Sequence, residues 1–286
     1  MFSGIGAAKG FSAALFLFLT AGCASLPFTD RAATARHIAD ERDWIGLVLP
    51  GPDFPLQAYL ARPRPARTLT VYLEGDGLAW RSRYVPSADP TPRDPIGLRL
   101  AVADPSLAIA YLARPCQYVH SPRCRVEVWT SHRFSPEATA ATSRAIDQLK
   151  ARFSAERVLL AGYSGGGVLA ALVAAGRSDV AGLITIAAPL DVGEWTRHHD
   201  VDPLSGSLDP AHCCGPSLSR LVQRHVVGFR DKVTPRSVVD SYHRSLSGEV
   251  PSSILGVDSD HECCYVSFWP GLVPRLRHSI LGREDL

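Results

Sequence analysis

The run Gly162-Tyr163-Ser164-Gly165-Gly166 constrains this chain more than any other stretch. Before it stand Val158-Leu159-Leu160-Ala161, apolar and strand-like. After it, Gly167 to Ala175 is built of alanine, valine and leucine and reads as a helix. A strand that becomes a helix within so few residues leaves little room. The central serine is forced into a strained backbone conformation, and a Cβ two residues to either side would collide with the turn. Glycine at 162 and 166 removes that collision. The serine hydroxyl is then presented above a sheet edge, with a helix N-terminus behind it that favours developing negative charge. A turn of this shape is a nucleophile elbow. Gly-x-Ser-x-Gly also occurs in plain strand-to-helix turns, so the surrounding elements decide its meaning.

Those elements alternate. Trp44–Leu49 and Gln57–Ala61 read as strands joined by the turn Pro50-Gly51-Pro52, and Leu69–Leu73 as a third that runs into the loop Glu74-Gly75-Asp76-Gly77. A proline-rich loop at Pro86–Pro95 leads to a short helix at Ile96–Ala103 and a strand at Leu107–Leu112. Ser135-Pro136-Glu137 opens a helix reaching about Phe153, with Ala138, Ala141, Ala145, Ile146 and Leu149 at helical spacing. Beyond the elbow come a strand at Val180–Ala187, a strand at His225–Phe229, a helix near Pro235–Leu246, a strand at Ser253–Val257 and a terminal helix near Val273–Leu281. Two irregular insertions, Arg114–Ser135 and Pro189–Pro216, interrupt the order and are expected to form a small cap that selects the substrate. Alternation of this kind predicts an α/β fold, a mostly parallel, doubly wound sheet covered on both faces. Its active site should lie beyond the carboxyl ends of the strands.

The first residues are a separate object. Lys9, a short apolar run from Phe11 and small residues up to Gly22 make an export signal, too short to span a membrane. Leu19-Thr20-Ala21-Gly22-Cys23 resembles the lipobox of bacterial lipoproteins, although Thr20 stands where that motif usually has leucine. The resemblance implies lipidation of Cys23 and residence in a bacterial periplasm or cell envelope, with the membrane reached through the lipid; an ordinary cleaved signal is the alternative. The expected division is a signal peptide at 1–22, a tether or leading segment at 23–42 and the folded domain at 43–286. Of the seven cysteines, setting Cys23 aside leaves Cys116, Cys124, Cys213, Cys214, Cys263 and Cys264, an even set suited to disulfides in an oxidising compartment. Cys116 and Cys124 can close a short loop. The pairs Cys213-Cys214 and Cys263-Cys264 can join one another or bridge internally. A zinc site built from His212, Cys213, Cys214 and His261 is a weaker alternative, because zinc motifs usually separate their cysteines. The net charge is +2 and the arginines are scattered, so no groove for nucleic acid is indicated.

Chemistry-bearing residues do follow strands. Ser164 follows one, Asp231 follows the strand from His225, and His261 follows the strand from Ser253 across a short acidic loop. The order Ser, Asp, His suits a serine hydroxyl activated by a histidine base, itself oriented by an aspartate. Asp258 and Asp260 are rivals for the acid, but they stand too close to His261 in sequence to reach its far nitrogen easily. Tyr163, Tyr118 and Trp195 are candidates for lining the pocket. The oxyanion needs two N–H donors; Gly165 and Asp76 are the expected ones.

From about Trp44 onward the chain resembles the α/β-hydrolase superfamily. More narrowly it resembles exported bacterial α/β hydrolases, often predicted lipoproteins, through Glu74-Gly75-Asp76-Gly77, Arg114-Pro115-Cys116-Gln117-Tyr118, the elbow and Asp260-His261-Glu262-Cys263-Cys264. The resemblance implies a hydrolase fold and a serine triad that needs no metal or organic cofactor, acting on a small-molecule or acyl substrate. An esterase is expected first, with a peptidase, amidase or thioesterase as alternatives. One departure stands out. Many esterases begin the oxyanion loop with His-Gly, whereas Glu74-Gly75 stands here, and acidic side chains facing inward would oppose an oxyanion. This favours a second reading, an inactive lipid-anchored binding or scaffold protein.

Overall fold

The computed structural model describes residues 1, 2, 4, 30–247 and 251–282. Cys23 and most of the expected signal segment 1–22 lie outside the described residues. In chain order the strands are β1 (Ile45–Leu49), β2 (Leu56–Leu60), β3 (Thr68–Leu73), β4 (Trp80–Ser82), β5 (Val85–Pro86), β6 (Ile109–Leu112), β7 (Arg157–Tyr163), β8 (Val180–Ile186), β9 (Gln223–Gly228) and β10 (Ser252–Val257). Eight of them form one sheet ordered β1-β2-β6-β3-β7-β8-β9-β10, and β4 with β5 makes a separate hairpin. Each neighbouring pair from β6 across to β10 is parallel, and β2 runs against both of its neighbours.

The helices are α1 (Arg31–Asp40), α2 (Ile96–Ala103), α3 (Val126–Trp129), α4 (Pro136–Arg152), α5 (Gly165–Ala175), α6 (Val192–His199), α7 (Pro210–Cys213), α8 (Gly215–Leu218), α9 (Arg236–Ser245) and α10 (Tyr265–Leu281). They cover both sheet faces, and the alternation within each strand shows which side chain goes where. Val158 and Leu160 of β7 pack with Leu69, Val71 and Leu73 of β3 against α4 and α5. Leu159 and Ala161 point the other way, joining Tyr72, Ile184 and Ile186 against α2 and α10. Strands buried on both faces need continuous apolar runs, which is how β3, β7 and β8 read in the sequence.

Three expectations need correction. The helix after the elbow begins at Gly165, two residues earlier than the apolar run suggests. The terminal helix begins at Tyr265, not near Val273, and runs through Pro270 and Pro274. Proline inside a helix removes a hydrogen bond and crowds the preceding turn; burial of Tyr265, Trp269, Leu272, Val273 and Leu276 offsets that cost, and Trp269 Nε1 donates to the Tyr72 hydroxyl at 2.9 Å. Residues 31–40, part of the expected tether or leading segment, form α1, as their helix-compatible sequence allows. Asp30 caps it through the N–H groups of Ala32 and Ala33, at 3.0 and 3.1 Å, and Ala35, Ile38 and Ala39 are buried. The insertion at Pro189–Pro216 contains three short helices, α6, α7 and the start of α8, rather than irregular chain.

Candidate active site

The loops after β3, β7, β9 and β10 all leave the same edge of the sheet, and they bring the sequence-predicted residues together. Ser164 stands between β7 and α5 at φ 50° and ψ −127°. A methyl group on Gly162 would strike the Gly166 carbonyl, and one on Gly166 would strike the carbonyls of Leu73 and Glu74. The turn therefore closes only around glycine. The Ser164 N–H is tied to the Ile186 carbonyl of β8 at 2.8 Å, so the bend is held by the next strand.

Ser164 Oγ lies 3.0 Å from His261 Nε2. On the other side of the ring, His261 Nδ1 lies 2.9 Å from Asp231 Oδ2. Asp231 accepts two further bonds at Oδ1, from the N–H groups of Val233 and Thr234, each at 2.8 Å. Its side chain is wholly buried while that of His261 keeps 15% exposure. A carboxylate fixed by three donors cannot swing, and the imidazole it faces inherits that rigidity. The rival acids are engaged elsewhere: Asp258 pairs with Arg230 at 3.0 Å, and Asp260 caps the N–H groups of Glu262 and Cys263.

Two residues hold the histidine loop: Tyr163, singled out in the sequence only as a pocket candidate, and Ser259, which sequence reasoning missed. Tyr163 donates its hydroxyl to the His261 carbonyl at 2.7 Å, and burial raises its pKa, keeping it a donor. Ser259 is fully buried; its carbonyl receives the Arg230 N–H at 3.0 Å and its hydroxyl receives the Cys264 N–H at 2.6 Å. The only local hint was position: Tyr163 adjoins the serine, and Ser259 adjoins the acidic loop. Trp195 Nε1 donates to the Val233 carbonyl at 2.7 Å and so joins α6 to the Asp231 loop. Tyr118 is half-buried, with its N–H on Thr91 Oγ1 at 2.8 Å.

Of the two acidic side chains in the loop after β3, Glu74 turns away and Asp76 packs beside Gly165 in the grip of two arginines. Glu74 faces the N-terminus of α2, accepting the N–H groups of Gly97 at 3.0 Å and Leu98 at 3.4 Å and the Tyr111 hydroxyl at 3.0 Å. Burial raises its pKa, and the hydrogen bonds from Gly75, Gly97 and Tyr111 oppose that rise. Asp76 is clamped by Arg114 and Arg133. Burial opposes its ionisation, but the two guanidiniums more than offset this and its pKa is lowered. Among the described residues, neither the Gly165 N–H nor the Asp76 N–H has an acceptor.

Cys116 and Cys124 are joined, with Cα atoms 5.6 Å apart. In each adjacent pair, Cys213-Cys214 and Cys263-Cys264, the sulfur atoms face one another, so neither pair reaches across to the other. The residues of the zinc alternative are not gathered. Among the described residues His212 instead sits with Asp191 and Asp209, whose oxygens cap α6 and α7 and accept from Ser241.

No protein-family model and no curated protein sequence matches the chain. Solved structures do. An esterase from Pyrococcus furiosus is similar with a TM-score of 0.59 at 12% identity, over 86% of this chain and 93% of that one. An esterase domain of a Rhodothermus marinus protein gives 0.54 at 15% identity, over 83% and 98%. An α/β serine hydrolase homologue from Coxiella burnetii gives 0.52 at 17% identity, over 81% and 95%. Likeness at such identities establishes the architecture: this chain has the α/β-hydrolase fold.

Proposed function

We propose that the protein is a serine hydrolase that cleaves an ester-like bond through an acyl-enzyme. The observation that carries this reading is the unbroken chain of contacts from Ser164 Oγ through His261 to Asp231, at 3.0 and 2.9 Å. The neutral imidazole accepts the Ser164 proton at Nε2 as Oγ attacks the carbonyl carbon. Asp231 holds the ring through Nδ1 and stabilises the imidazolium. The tetrahedral oxyanion takes N–H donors from Gly165 and Asp76. Collapse expels the alcohol, which leaves with the proton from Nε2. Water then repeats the sequence, His261 taking its proton, and releases the acid with Ser164 restored.

An ester is favoured over an amide because the similar solved structures include esterases; one scaffold hosts many activities, so the substrate must be read from turnover. The acidic loop favoured an inactive scaffold. It loses that force once Glu74 caps α2 and Asp76 is paired with arginine. The test is a panel of acyl esters, amides and thioesters run on the wild type and on Ser164→Ala. Ester turnover that Ser164→Ala abolishes supports the reading; a folded wild type that turns over nothing in the panel sinks it.

From the lipobox-like run Leu19-Thr20-Ala21-Gly22-Cys23 we further propose that the protein resides in a bacterial cell envelope, anchored by a lipid on Cys23. Labelled fatty acid should enter the wild type and not Cys23→Ala. Each adjacent cysteine pair is read as an internal bridge, so protein purified without reductant should show no free thiol among the six remaining cysteines.

A further inference from the structure

Arg114 and Arg133 are left unused by this mechanism, yet they lie against its centre. Both are buried, at 5% and 6% exposure. Arg114 Nη1 pairs with Asp76 Oδ1, and Arg133 Nη1 pairs with Asp76 Oδ2, so each oxygen of one carboxylate has its own guanidinium. The arginines are themselves fixed. Arg114 lies 5.0 Å over the Phe134 ring and donates Nη2 to the Arg133 carbonyl. Arg133 lies 5.7 Å over the Trp195 ring and donates Nε to the Thr130 carbonyl at 2.8 Å. Gln117 makes a second tie, donating to the Gly75 carbonyl at 3.0 Å while accepting the Arg114 N–H at 3.0 Å.

The place of this cluster gives it a task. A methyl group on Gly165 would run into Asp76 Oδ1 and come within 2.6 Å of Arg114 Nη1. The cluster therefore packs directly on the residue after Ser164, whose N–H is one of the two oxyanion donors in the serine-hydrolase reading. Neutralising Asp76 alone would need one guanidinium. The second guanidinium holds the other oxygen of Asp76, and Glu74 of the same loop also attracts Arg114, so the two arginines answer two buried acids.

We propose that Arg114 and Arg133 are positioning residues of the oxyanion hole: through Asp76 they hold the loop after β3 against Gly165, and they neutralise the carboxylate packed there so that it does not oppose the oxygen that becomes negative. This inference rests on the serine-hydrolase reading. It also accounts for an aspartate in a loop where an unpaired carboxylate would be harmful.

The test uses Arg114→Met, Arg133→Met, Arg133→Gln and Arg133→Lys. Active sites are titrated to completion with a fluorophosphonate, so that unfolded protein drops out of the rates. Turnover per titrated site and KM are then measured on the best ester, along with affinity for an arylboronic acid, which forms a tetrahedral anion on a serine. Each Met variant should lose about 10²-fold in kcat, the scale of one oxyanion donor, with KM little changed. Boronic acid affinity should fall by a similar factor, and Arg133→Lys should recover most of both losses. Arg133→Gln keeps a donor but removes the charge, and it serves if a Met variant does not fold; it too should lose kcat. Variants that label fully and keep wild-type kcat and boronic acid affinity overturn the inference while leaving the hydrolase reading intact. A wild type that neither labels nor turns over defeats the hydrolase reading itself, and the inference with it.

Discussion

At Ser164 the backbone sits at φ 50°, a region that costs a non-glycine residue about 1–3 kcal/mol and persists only where its surroundings impose it. Here the imposition is the tie to Ile186 and the close-packed glycines. Asp231 tests the other end of the relay. Asp231→Asn keeps the shape but favours the wrong histidine tautomer, so kcat should fall about 10⁴-fold with the melting temperature little changed. Tyr163→Phe removes the 2.7 Å bond to the His261 carbonyl. A bond of this kind is worth about 1 kcal/mol, which predicts a loss of about fivefold in kcat with KM unchanged; no change at all would mean the histidine loop is held without it. That Ser164, Asp231 and His261 would meet was legible because each follows a strand and their order along the chain is informative. The surrounding contacts were not. Arg133 meets Asp76 across 57 positions and Tyr163 meets His261 across 98, and no local pattern marks such partners.

Elements place these residues by how they end. β7 lies between β3 and β8, so the elbow and the acidic loop emerge side by side. β9 pairs with β10 in parallel through Val257 opposite Gly228, and this puts the Asp231 and His261 loops in register. Gly166→Ala forces a methyl group onto two carbonyls. It should unfold the elbow, lower the yield of folded protein and lose activity together with stability; a stable, active variant would contradict the packing described. Away from the site, Lys150 of α4 and Arg177 converge on Asp179 before β8. Burial opposes ionisation of Asp179, but the hydrogen bonds from Arg177 and Lys150 outweigh it and lower its pKa to about 2. The folded value is below the unfolded one, so the stabilisation is complete above about pH 4 and is lost as pH falls through 2. Partial exposure screens it to of order 1 kcal/mol. Asp179→Asn should therefore melt earlier than wild type at pH 7 and converge with it near pH 2. The buried strands were readable as apolar runs. α10 was not readable to its start, because Pro270 and Pro274 signal a break that tertiary burial overrides.

At the scale of the whole molecule, the first insertion meets the loop after β3 through Arg114 and Arg133, and the second meets the Asp231 loop through Trp195. The α/β alternation announced the sheet architecture, whereas the hairpin of β4 and β5 and the path of the insertions depend on contacts between distant segments. The Cys116–Cys124 bridge closes a short loop in the first insertion, beside Arg114 and Gln117. Replacing both cysteines by serine should cost about 2 kcal/mol of stability, and kcat should fall further than that loss explains, since the segment steadies the loop after β3. A variant with lower stability but wild-type kcat would show that the bridge serves the fold alone. The proposed function converges on one hydroxyl, Ser164 Oγ, set among loops drawn from four strands. The most direct measurement is intact-mass and peptide mapping of the folded protein after exposure to a fluorophosphonate. We predict a single adduct on Ser164, absent from Ser164→Ala and formed far more slowly in Asp231→Asn. Folded wild type that gains no adduct, or an adduct that persists in Ser164→Ala, would contradict the account.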